Sequence, residues 1–312
     1  MSARRRLDKY PWWAKLAGAD GSTFAACPHE LHRQRRGAIG RLFSARAVTR
    51  LEPNIMMRVE KLCERLVAVS RGGKTMGTEG NGGGSGGLEK KGEIVRLDAA
   101  LMAVTMDIIS DYAFASDRRY LDLPDFAAGW KETVVSALGG MALGRHCPWL
   151  LPLMKRLPIS VVAAMNPAYG HLLEWQAGVK AQVKPILEGR DELSAKMAAL
   201  DRNGAENGDG GDGGDGGDGG GGTRTTVFHT LRDSDLPPHE KTLQRLCDEG
   251  EIIVGAGSET AASCATRILF YLRHVPHTLE RLWAELDAAI PDPRDIPSWA
   301  ELQKLPYLVS LV

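Results

Sequence analysis

The chain has 312 residues, 43% hydrophobic and 25% charged, an ordinary globular composition with length enough for a large core. Lysine plus arginine equals aspartate plus glutamate at 39 each, so no global charge points to nucleic acid. Five scattered cysteines (Cys27, Cys63, Cys147, Cys247, Cys264) form no Cys-x-x-C pair and read as reduced thiols in a cytosolic setting, not a disulfide framework or zinc site. No apolar run of about 18 residues is present and Arg4-Arg5-Arg6 is not followed by one, so neither an anchor helix nor a signal peptide is expected.

Residues 1–27 read as irregular, with Tyr10-Pro11-Trp12-Trp13 as a local apolar knot. Pro28 suits the first turn of a helix carrying PHELHRQRRGAIGRLFS. His32 and Arg36 stand four apart and share a face, while Arg33, Arg35 and Arg41 spread positive charge around the remainder. The pattern fits a cation pair aimed at a buried anion with the remaining arginines outside, and it equally fits a solvated basic helix. Nucleic-acid binding lacks both aromatic interleaving and a basic balance.

Residues 48–69 place Leu51, Ile55, Val59, Leu62, Leu66 and Val69 on one stripe, the period of a helix with a single buried face. The stretch 72–92 is glycine-rich and expected to be flexible. Its Gly73-Lys74-Thr75 is not a phosphate loop: the glycine that motif needs earlier is Ala68, and a helix precedes it where a strand is required. Residues 94–114 read as a buried helix entered through Asp98. Residues 126–164 hold two helical patterns around a proline-punctuated apolar segment. A further helix spans 172–200, with Pro185 expected to kink or break it. The run 203–223 repeats Asp and Gly, cannot bury apolar area, and is expected to be a disordered surface insertion; it lacks the aliphatic position of calcium-binding repeats.

The stretch from Leu243 to Val275 is apolar or small over most of its length and free of proline, which predicts one long helix buried along its middle. At its centre lies Ala256-Gly257-Ser258-Glu259-Thr260. Two small residues there let a flat group approach the backbone. A carboxylate and a hydroxyl are costly in a buried helix, by about 1–3 kcal/mol each if unpaired. Thr260 stands four residues after Ala256, so its hydroxyl can compete for the Ala256 carbonyl and locally open the helix. A plain helix crossing with small residues at the contact is the alternative. Beyond it, Leu279, Leu282, Trp283, Leu286 and Ile290 predict an amphipathic helix over 277–290 with all five on one face. A proline-rich turn, a short helix from Ser298 and a new helix near Pro306 follow.

The motif at 256–260 resembles the central helix of the cytochrome P-450 family, the haem-thiolate monooxygenases, whose pattern is Ala/Gly-Gly-x-Asp/Glu-Thr. The resemblance extends to Leu97-Asp98-x-Ala100, Thr105-x-Asp107-x-Ile109 and Asp111-Tyr112-x-Phe114, and to the lead-in LRDSDLPPHEKTLQRL. Leu42-Phe43-Ser44 is similar to fungal members, the trichodiene-oxygenase-like group in particular. It implies a mainly α, P-450-like fold over 1–312, with the sheet, the N-terminal anchor and the haem-thiolate end outside it. The family's Glu-x-x-Arg pair and cysteine loop have no counterpart here, and Cys264 would lie on the wrong side of the ring; no metal ligand is expected among these residues.

What the resemblance implies for chemistry is insertion of one atom of dioxygen into an apolar small molecule of fungal secondary metabolism by haem b. His32 and Arg36 would hold the haem propionates, Ala256 and Gly257 would clear space over the ring, Thr260 would stabilise bound oxygen and Glu259 would relay protons. Electrons would come from an NADPH-dependent flavoprotein reductase. Residues 126–164 would form the lid of the substrate pocket, touching a membrane surface, and the whole protein would sit on the cytosolic face of the endoplasmic reticulum. The rival expectation is a non-catalytic helical fragment or binding protein.

Overall fold

Chain segments that place apolar residues every three or four positions, punctuated by Pro, Ser and Gly, have one economical way to bury them, and the structure adopts it throughout. A computed structural model describes residues 6–14, 19–71, 94–147, 149–196, 225–292 and 295–311; the glycine-rich stretches 72–92 and 203–223 lie outside the described residues. Among these the principal elements are α1 (Pro11–Ala14), α2 (His29–Ile39), α3 (Ala45–Ser70), α4 (Leu97–Phe114), α5 (Ala128–His146), α6 (Leu150–Arg156) and α7 (Ile159–Met165). They continue with α8 (Pro167–Leu187), α9 (Val227–Arg232), α10 (Leu243–His274), α11 (Pro276–Ala289), α12 (Trp299–Leu302) and α13 (Pro306–Ser310). No strand occurs among the described residues, so the mainly α expectation holds.

Local chemistry sets the boundaries. Ser44 caps α3 by accepting from the Ala47 amide at 3.3 Å. Asn166 caps α8 the same way from Tyr169, with Pro167 in the first helical position, where its missing N–H costs nothing. Pro185 sits in the last turn of α8, which ends two residues later at Leu187, before Gly189 at φ +64°. The expected break is therefore a terminus, and residues beyond it do not prolong α8. Thr226 and His229 close a capping box at the start of α9.

The chain divides into two compact units. The first contains Met1–Leu42, Ser110–Ser116 and Thr133–Ile253; the second contains Phe43–Ile109, Asp117–Glu132 and Val254–Val312. In the first, Phe114 and Phe228 stack with centroids 4.9 Å apart, and a Cβ on Gly250 would lie 3.0 Å from the Phe228 ring. Glycine is what lets α10 approach these rings. His229 is 3% exposed; its Nε2 meets Asp191 at 2.9 Å, and Arg232 donates to Ser194 Oγ at 2.6 Å, tying residues 191–194 to α9. Residues 1–27, expected irregular, contain the single turn α1. Trp12 and Trp13 within it are 42% and 44% exposed, and Trp13 rests against Phe24 at 5.2 Å.

In the second unit a cluster of Leu62, Ala99, Ala103, Val104, Leu121 and Phe126 packs α3 against α4. Asp107 is 3% exposed and accepts from the Tyr120 and Leu121 amides at 2.9 Å each, so it holds the turn at 120–121 against α4. One expectation fails here. Trp283, read as part of the buried face of α11, is 57% exposed, whereas Leu282 beside it is 8% exposed. The buried stripe is narrower than the apolar one. Glu285 on this helix accepts the Tyr307 and Leu308 amides at 2.9 and 2.8 Å and so caps α13.

Candidate active site

The central helix α10 is continuous over 32 residues and carries the 256–260 motif. Thr260 Oγ1 donates to the Ala256 carbonyl at 2.5 Å, the back-bond its spacing predicts. The α-helix nevertheless runs unbroken through this turn, so the expected opening is absent. The hydrogen bond is added to the helical ladder instead of replacing part of it.

The two small residues face different surroundings. Ala256 is exposed. Gly257 is half-buried, and a Cβ there would lie 2.9 Å from Ile109 Cγ1. Close by, Thr105 Oγ1 donates to the Ser258 carbonyl at 2.9 Å. Gly257 is therefore the point where α4 and α10 cross closely, the alternative its sequence left open.

Glu259 and Thr260 line a cavity of about 560 Å³, together with Ser263, Cys264, Tyr271 and Leu272. One oxygen of Glu259 accepts from Ser263 Oγ at 2.7 Å; the other, Oε2, is buried and has no hydrogen-bond partner among the described residues. An orphaned carboxylate oxygen in such a place is costly and is the kind of group that exchanges a proton or meets a ligand. Ser263 was not singled out by its sequence, although its i,i+4 spacing from Glu259 is the signal that finds it.

On α2, His32 is half-buried and Arg36 exposed. Burial lowers the His32 pKa first, and Lys9 and Arg36 lower it further against the opposing charge of Glu249. An imidazole placed in that field favours its neutral form and an anionic partner. Arg35 corrects the expectation that the other arginines lie outside. It is 8% exposed, its Nε and Nη2 donate to Glu240 at 2.6 and 3.0 Å, and Nη1 donates to the Ser22 carbonyl at 3.0 Å. The hydrogen bond from Arg35 holds the Glu240 carboxyl below its usual range despite burial. Nearby, Arg245 lies 3.0 Å from Glu249 Oε2 without hydrogen-bond geometry, and Thr23 donates to the same oxygen at 2.8 Å. This buried ionic network ties the segment before α2 to the first turns of α10. Arg35 and Arg36, alike in sequence, thus stand in different surroundings, one buried and one exposed.

A helical architecture with an acid–alcohol pair over a cavity defines a class that comparison with known proteins makes specific. Residues 229–312 match the Cytochrome P450 family model. Over 98% of its length the chain superposes on 55% of the crystal structure of a cytochrome P450 (CYP102L1), with a TM-score of 0.59 at 14% identity, a likeness of fold. Over nearly its whole length the chain is similar to members of the cytochrome P450 family. Its relatives are fungal: it is 30% identical over 310 residues to the cytochrome P450 monooxygenase tpcC of Cochliobolus heterostrophus, covering 99% of this chain and 50% of the relative. It is 30% identical over 311 residues to the tryptophan 6-hydroxylase fscE of Fusarium equiseti, covering 100% and 52%. With the conidiogenone synthase PchP450 of Penicillium rubens it shares 32% over 306 residues, covering 97% and 51%. The chain spans about half the length of the curated relatives it matches. No described helix is long and apolar enough to cross a membrane.

Proposed function

We propose that this chain forms part of a haem-dependent monooxygenase that inserts one atom of dioxygen into an apolar small molecule of fungal secondary metabolism. The observation that carries the proposal is the acid–alcohol pair Glu259 and Thr260 lining one cavity, with Thr260 bonded back to Ala256 and one Glu259 oxygen left unpaired. The relatives' names, a tryptophan 6-hydroxylase and a conidiogenone synthase among them, support an organic substrate without choosing one.

The donor set fits haem. His32 and Arg36 offer an imidazole and a guanidinium, one helical turn apart, to a pair of carboxylates. When bound, haem supplies the oxidising chemistry, and the protein supplies binding, orientation and electrostatics. In this reading Ala256 keeps its face of the helix low, and Gly257 sets the depth at which α10 lies against α4. Thr260, its proton donated to the Ala256 carbonyl, presents its hydroxyl oxygen as acceptor. Glu259 holds or gives up a proton at Oε2. Dioxygen and a flavoprotein reductase fed by NADPH complete the partners. Apolar side chains exposed along residues 149–165, including Trp149, Leu153 and Met165, support contact with a membrane surface, and the endoplasmic reticulum is the proposed location.

The test is Thr260→Ala in the haem-loaded enzyme. The expected result is continued NADPH consumption with product replaced largely by peroxide, while the carbon-monoxide difference spectrum is unchanged. Unaltered coupling of electrons to product would remove Thr260 from the chemistry and with it this reading of the cavity.

A further inference from the structure

Four hydroxyl residues lie between Ser258 and Thr266 on α10, and three of them behave alike. Ser258, Thr260 and Thr266 each donate to the carbonyl four residues back, at 2.7, 2.5 and 2.7 Å. This back-bond is the default for Ser and Thr inside a helix, because that carbonyl lies directly beneath the side chain. Ser263 departs from it. Its hydroxyl passes over the Glu259 carbonyl and donates to the Glu259 side chain, Oε1, at 2.7 Å. The two side chains line the same cavity, and the second carboxylate oxygen, Oε2, is buried with no partner.

We infer that Ser263 is a positioning residue: it pins one oxygen of Glu259 so that the other is the single site at which the carboxyl takes up or gives up a proton. A carboxylate has two equivalent oxygens and a soft terminal torsion, so without a tether it samples several orientations over the cavity. A charge-assisted hydrogen bond from an i+4 neighbour on the same rigid helix removes that freedom, and it does so without occupying Oε2. The cost of the orphaned oxygen is then part of the arrangement, since a pinned, unpaired oxygen is ready to exchange a proton where a satisfied one is not. This inference rests on the acid–alcohol reading of Glu259 and Thr260, and it adds a residue which that reading does not contain.

The experiment compares Ser263→Ala, Ser263→Asn and Glu259→Gln in the haem-loaded enzyme, with Thr260→Ala as reference. Alanine is a strong helix former, so Ser263→Ala keeps α10 intact. Product formed per NADPH in Ser263→Ala is expected to fall by about tenfold, a part of the roughly 10²–10⁴ that a positioned acid or base contributes. Its pH profile is expected to shift towards that of Glu259→Gln. Ser263→Asn, which restores a donor four residues on, is expected to recover most of the loss. A second readout needs no turnover. In denaturant unfolding, the double-mutant cycle of Glu259→Gln and Ser263→Ala is expected to show a coupling of about three- to tenfold in the unfolding equilibrium constant. Should Thr260→Ala and Glu259→Gln uncouple the enzyme while Ser263→Ala keeps wild-type yield and pH profile, the positioning role is wrong and the reading of the site stands. Should Thr260→Ala and Glu259→Gln leave coupling untouched, the underlying reading fails first.

Discussion

Substituting Gly257 by alanine places a methyl group where the structure has no room. The added Cβ would stand 2.9 Å from Ile109 Cγ1, 3.2 Å from Cδ1 and 3.4 Å from Cβ. Relief requires α4 and α10 to part or Ile109 to turn, against the nearby Thr105–Ser258 hydrogen bond that holds the crossing. Overpacking of this kind costs about 1–3 kcal/mol, while the gain in helix propensity from glycine to alanine returns about 1 kcal/mol. The net expectation is a loss of about 1 kcal/mol. Gly255 is the internal control: two residues earlier on the same helix, it is exposed, with nothing within 4 Å of its added Cβ. There alanine should gain about 1 kcal/mol, so the two substitutions differ in sign. Urea unfolding reads both, as midpoint shifts of about 0.3–1 M in opposite directions at unchanged slope. Adding Ile109→Ala to Gly257→Ala should recover part of the loss, and the cycle should be non-additive. A Gly257→Ala protein as stable as Gly255→Ala would refute the close crossing and leave Gly257 without its packing role.

Arg35→Ala takes from buried Glu240 its hydrogen-bonding cation, leaving only the Arg245 guanidinium at 3.5 Å beside it, and should cost about 3 kcal/mol in the same assay, while Arg36→Ala should weaken haem retention. A loss below about 1 kcal/mol for Arg35→Ala would show that the ion pair is not formed as described. At Asp191, burial raises the pKa, but the hydrogen bonds from His229 and Ser194 outweigh it and hold the carboxyl far below its ordinary value. A depressed pKa contributes stability that is complete above the unfolded value near ~3.9 and is lost as pH falls below it. Asp191→Asn should therefore flatten the fall in stability below about pH 4, measured as Tm against pH. Burial, with Glu251 and Asp248 adding to it, pushes the Cys247 thiol up to about 11. A thiol reagent at pH 8 should modify exposed Cys63 and Cys264 quickly and reach Cys247 only on unfolding.

Much of the helix pattern and the Thr260 back-bond are legible in the sequence. Each depends on residues within a turn or two of one another, and local periodicity and hydrogen-bond reach decide them. The same holds for the family, whose motifs lie in contiguous runs. What tertiary structure alone decides is which side of each helix meets something. Arg35 and Arg36 are neighbours with identical chemistry, yet Glu240, more than 200 positions away, selects Arg35 for burial. Trp283 looks like core and stands exposed, because burial depends on a partner surface and not on hydrophobicity. Gly257 reads as clearance for a flat group, and the neighbour the fold sets beside it is Ile109, since a missing side chain does not name its neighbour. Ser263 needed only its spacing to be noticed, but the choice of a carboxylate over a carbonyl is a matter of where a hydroxyl points, and that is settled in three dimensions.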